Sequence, residues 1–140
     1  MVAEASTELL AVVTVALPQW VEASILQRAP HLQAEARAAG EECAAQLLPQ
    51  LAALLATDID EQRSTPLQLV RRAAAIPTRV LREAGVPPER RDPWQVEAEP
   101  DDHYQLSPAA WADLGPEAHE AGLRWGAAKA ITHLRRHRPG

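Results

Sequence analysis

The sequence predicts an all-α protein: a compact bundle of about five to seven helices, several kinked or started by proline, with one long proline-rich loop at about residues 86–106. Three observations point there. The chain has no Phe, four Trp and one Tyr, so a core must rest on Leu, Val, Ile and abundant Ala, and Ala-rich surfaces suit helices that pack close together. Apolar residues recur at three- and four-residue spacing through most of the chain, which is the period of a helix. The last segment, PEAHEAGLRWGAAKAITHLRRHR from Pro116 to about Arg138, reads as one long helix.

Taken in order, Ser6 or Thr7 is placed to cap a first helix from about Thr7 to Leu17. Pro18 either kinks it or opens a second piece carrying Trp20, Val21, Ser24, Ile25 and Arg28, which Pro30 ends. A helix from about His31 to Leu48 has a stripe at Leu32, Ala36, Ala39, Cys43 and Leu47, and the pattern resumes past Pro49 with Leu51, Leu54 and Leu55. Residues 1–57 therefore read as a helical hairpin, and 58–140 as a second part packed on the last helix, within one domain. Thr65-Pro66-Leu67-Gln68 is a strong start signal, with an N-cap, a first-turn proline and a capping-box Gln. That helix runs to Ile76, is interrupted at Pro77, and resumes to a stop at Gly85. Ser107-Pro108 opens a short helix holding Trp111, and Gly115-Pro116 opens the long one.

On a wheel of roughly 100° per residue, Leu123, Ala127, Ala130, Ile131 and Leu134 fall on one side of the last helix. Ala118, Ala121, Gly122, Trp125, Ala128 and Lys129 fall on the other. Its charged strip is narrow, so the helix is expected to have neighbours on several sides and to organise the fold.

The formal charge is −5 and unevenly spread: net −4 over residues 1–57, −3 over 58–106 and +2 over 107–140. An acidic balance disfavours a constitutive nucleic-acid binder. Cys43 is the single cysteine, which excludes an intramolecular disulfide and a multi-cysteine zinc site and suits a reducing, cytoplasmic setting. The apolar run Leu9–Leu17 is too short by itself to span a bilayer, and Glu4 and Glu8 stand where a signal peptide would carry positive charge. It is expected to be a buried helix, with no membrane partner.

Laid end to end, TDIDEQRSTPLQLVRRA, IPTRVLREAGVPP, PDDHYQLSPAAWADLGPEAHEAGL and WGAAKA make this chain similar, over about residues 58–134, to a family of small uncharacterised actinobacterial proteins. That resemblance implies a cytosolic helical protein and carries no activity, ligand or catalytic residue with it.

Several residues carry chemistry that a site could use. His133 and His137 have the four-residue spacing that puts two imidazoles on one helix face for a metal. His119 lies too far along the helix to join them, and a basic helix end explains both. Asp102 beside His103, in the loop, could orient a general base, although no nucleophile stands at a recognisable spacing. Lys129, the only lysine, could act as a desolvated amine, or lay its stem along apolar neighbours. Arg71, Arg72, Arg79 and Arg82, with Arg135 and Arg136, are the candidate phosphate contacts for a nucleic acid, against a surrounding set of acids that would pair them internally. Trp94, flanked by Arg90 and Arg91, suits a protein interface, where Trp and Arg dominate binding energy.

No cofactor is implied and no catalytic signature is present. The sequence is read first as a non-catalytic protein–protein interaction or small regulatory adaptor, its partner another protein or a second copy joined through the residue 32–55 stripe. A nucleic-acid-associated regulator and a small enzyme or ligand binder centred on Asp102 and His103 are the alternatives.

Overall fold

The computed structural model describes residues 2–57, 65–88, 104 and 106–136. All the regular structure in them is helical. α1 is Val2–Arg28, α2 is Gln33–Thr57, α3 is Thr65–Arg71, α4 is Ala75–Glu83 and α5 is Pro116–Arg136. A single 3-10 turn, Arg72–Ala74, joins α3 to α4 without a gap, so these residues make four helical rods rather than five to seven.

The difference has one physical cause: the interior prolines do not end their helices. Pro18 lies inside the 27 residues of α1, and Pro49 inside the 25 of α2. A helix-interior proline costs about 3 kcal/mol. Fully burying one Leu, Val or Ile recovers about 1.5–3 kcal/mol. Leu9, Val13 and Leu17 on one side of Pro18, with Val21 and Ile25 on the other, are all 0% exposed, so a continuous rod is the cheaper solution. Pro77 behaves differently. It lacks the N–H that would bond the carbonyl of Ala73, and the chain there tightens into the 3-10 turn, leaving Pro77 in the first turn of α4 where it is tolerated. The break is thus just upstream of the proline.

α1 and α2 form an antiparallel hairpin, as expected for residues 1–57. The four-residue row Leu9, Val13, Leu17, Val21 and Ile25 packs with Ala36, Ala39, Cys43, Leu47, Leu51 and Leu55 in one core. The stripe once available for a two-fold contact is therefore used inside the molecule. Gly40 sets the closest approach: a Cβ placed there would lie 3.1 Å from the Pro18 carbonyl oxygen. The helix that organises the fold is α1 rather than α5, because α2, α4, α5 and the turn at Trp111 all pack on it. α1 is also long and apolar enough, by length and composition, to cross a membrane, whereas the nine-residue run alone suggested otherwise; here its inner side is core.

Gly85, at φ +78°, ends α4 as expected. Val86 N–H bonds to the Leu81 carbonyl and Gly85 N–H to that of Arg82, the pattern of a Schellman stop. Past it, Tyr104 is buried and ties two parts of the chain together. Its hydroxyl donates to the Val86 carbonyl at 2.6 Å, and its own carbonyl accepts from the Arg28 guanidinium at 3.3 Å.

Cys43 sits at the centre of the hairpin, fully buried. Burial, with a smaller push from the Glu42 carboxylate, raises its thiol to about 11. Because the thiolate is the reactive form, the native protein is expected to resist alkylation by iodoacetamide at pH 8 and to react fully once unfolded in urea; mass spectrometry of the two samples checks this. Rapid modification of the folded protein would contradict the packing.

Candidate interaction surface

α5 is set in place by the short turn before it. The Asp113 carboxylate accepts from the backbone N–H groups of Ala109 and Ala110 at 2.7 and 3.1 Å, closing a single 3-10 turn, Trp111–Leu114. This turn starts later than the Ser107-Pro108 signal suggested. It carries Trp111 onto α5 at Gly122, where an added Cβ would lie 2.4 Å from the indole Cδ1. Trp125 meets Trp111 edge to face, with centroids 6.4 Å apart and ring planes at 83°. The Lys129 ammonium stands 4.6 Å from the centre of the Trp125 ring, and the residue is only 5% exposed. The lysine thus belongs to a packed indole pair, its charge stabilised by the ring face.

Ala118, Ala121, Gly122, Trp125, Ala128 and Lys129 are the buried side of α5. The opposite side is not. Leu123 is 60% exposed, Ile131 41% and Leu134 67%, with Ala127 exposed between them. The expectation of neighbours on several sides fails here, because small residues let α5 sit close on α1 and Trp111 fills the remaining gap. Among the described residues only one other large hydrophobic is so exposed, Val15 at 61%. It borders a groove between α1 and the start of α5 that also includes Val12, Leu114, Pro116 and Glu117.

Ion pairs fix the edges. The Arg124 guanidinium is bonded to the Glu8 carboxylate, its Nε donating to both oxygens at 2.9 and 3.1 Å. This bond holds the Glu8 carboxyl below its usual range. It joins α5 to α1 and shows that the two run antiparallel, since Glu8 meets Arg124 while Val15 lies near Pro116. On the far side of the hairpin the Arg79 guanidinium bonds the Glu42 carboxylate across a groove of about 530 Å³ between α2 and α4, which Glu35 and Glu83 also line.

The structure separates the residues singled out by sequence. Arg79 is taken up by Glu42, Arg71 is half-buried, and Arg72 and Arg82 are exposed on the same rod. Arg135 is exposed near the end of α5, far along the chain from these four, and Arg136 is its last residue. His133 is half-buried and His119 exposed. Among the described residues no three His, Cys, Asp or Glu side chains come together in a way that could hold a metal ion. Arg90, Arg91, Trp94, Asp102, His103 and His137 lie outside the described residues. Sequence reasoning found the Leu123 side of α5 but assigned it to the core; the pairing of Gly122 with a nearby Trp was the signal for which side turns inward.

No family model, curated protein or solved structure matches this chain. What the residues define is a class: an all-α protein presenting one apolar helix face.

The Trp111 contact yields a direct test. Gly122→Ala forces the indole or α5 to shift, and overpacking of this kind costs about 1–3 kcal/mol. Urea unfolding is expected to show that loss together with altered Trp fluorescence, whereas Gly126→Ala, in open space on the same helix, leaves stability unchanged or slightly raised.

Proposed function

We propose that this protein acts without catalysis, as a protein–protein interaction module whose contact surface is the outer face of α5. One observation carries the reading: three of the four large exposed hydrophobics among the described residues, Leu123, Ile131 and Leu134, stand in a single row on one helix. Scattered single apolar residues on a surface are ordinary, but an aligned apolar row with polar flanks is the surface that association covers. The rigid inner packing of Trp111, Trp125 and Lys129 supports it, since a pre-ordered helix gives up little conformational freedom on binding.

The arginines fit this reading better than one of nucleic-acid binding. Arg79 and Arg124 are each engaged by a carboxylate, which withdraws two of the chain's positive charges from any phosphate backbone. Trp94, with Arg90 and Arg91, adds a second contact by its chemistry. The same reading places the protein in a reducing cytoplasm, in keeping with its buried free thiol.

Leu123→Glu and Leu134→Glu remove apolar contact at positions largely exposed to solvent. Each is expected to leave unfolding within about 0.5 kcal/mol of the parent. Each weakens association by about thirtyfold or more, the loss typical of a central contact residue. Circular dichroism and quantitative capture of the protein's partners check the pair of outcomes. Unchanged capture by both variants would sink the reading.

A further inference from the structure

We infer that the occupant of the α5 face is a second copy of the same chain, with the two α5 helices packed antiparallel about a two-fold axis near Ala127. This rests on the interaction reading above and goes on to name the partner. The face has a symmetry that a self-contact requires. Leu123 and Ile131 lie four residues to either side of Ala127, so an antiparallel pair centred there sets Leu123 of each copy beside Ile131 of the other. At the centre Ala127 is small and exposed, so two helix backbones can cross closely.

The charges agree with that register. Glu117 and Arg135 are both exposed and stand about five full turns apart, which puts them on the same flank of the helix. In an antiparallel two-fold pair like flanks meet, and with the crossing at Ala127 the Glu117 of one copy comes within about two residues of the Arg135 of the other along the shared flank, twice. Glu120, on the line of the apolar row, comes opposite Leu134 and the stem of Arg135. Antiparallel helices also set each N-terminus beside the other's C-terminus, a favourable arrangement of their dipoles. A parallel pair would instead bring the acidic ends together and the basic ends together. Val15, at the edge of the α1 groove that Glu117 borders, extends the apolar surface at the same end.

Analytical ultracentrifugation of the full chain tests this. The wild type is expected to sediment as a dimer, and Leu134→Glu as a monomer. Glu117→Arg and Arg135→Glu each place like charges near one another at two equivalent positions, weakening the dimer about tenfold. The double variant restores it, and so does an equimolar mixture of the two single variants. Independently, Leu123→Cys mixed with Ile131→Cys forms an intermolecular disulfide on oxidation faster than either alone. A wild type that stays monomeric at millimolar concentration overturns the inference, as does a double variant that fails to regain the dimer. If that monomer still captures another protein and Leu134→Glu abolishes the capture, only the identity of the occupant is wrong. If it captures nothing, the interaction reading falls with it.

Discussion

Everything in this molecule depends on α1 staying one helix through Pro18. The row Leu9, Val13, Leu17, Val21 and Ile25 runs unbroken on either side of that proline, and all five side chains are removed from water. Several buried aliphatic side chains outweigh one missing hydrogen bond and one steric clash. Gly40 completes the arrangement from the other strand of the hairpin, since a side chain there would press on the Pro18 carbonyl. With α1 continuous and α2 close against it, the hairpin presents two further surfaces, one for α4 and one for α5.

The way α5 docks follows from what α1 offers. Their contact is made by alanines and by the Arg124–Glu8 pair, neither of which fills much volume. The volume is supplied instead by Trp111, delivered by its own short turn, and by Trp125, with the Lys129 stem and ammonium closing the stack. A helix held by small residues on one side and two indoles on the next has no further need of its leucines. They remain outside because the chain supplies no fifth rod in the described residues to cover them. The architecture and the candidate surface thus have the same origin.

Much of this was legible in the sequence, and the misses are instructive. Helical class, the hairpin, the Thr65-Pro66 start and the Gly85 stop all follow from local rules that tertiary packing did not override. The number of rods does not, because proline was read as a break, and its 3 kcal/mol cost loses wherever burial continues past it. The wheel separated the two sides of α5 correctly, yet hydrophobicity alone ranks Leu123, Ile131 and Leu134 above Ala118, Ala121 and Gly122 as core. Close packing reverses that order, since only small residues let two backbones and an indole share one space. The latch from Tyr104 to Val86 and Arg28 was out of reach, because it joins residues 18 and 76 apart through backbone carbonyls that no side-chain pattern marks.

The pairing of Arg124 with Glu8 bears on why the outer face should engage another surface in one orientation only. That pair occupies the one arginine near the middle of α5 and draws it toward α1, away from the centre of the leucine row. What remains along the row is acidic at the start, with Glu117 and Glu120, and basic at the end, with Arg135. An apolar strip with charge at only one end would accept a partner in many registers, since hydrophobic contact is not directional. In the self-association proposed above, opposite charges at the two ends disfavour slipped and parallel arrangements by repulsion, which would give the strip a direction and a register. The internal salt bridge contributes little to stability by itself, but it leaves the charge pattern of the outer face polarised from end to end.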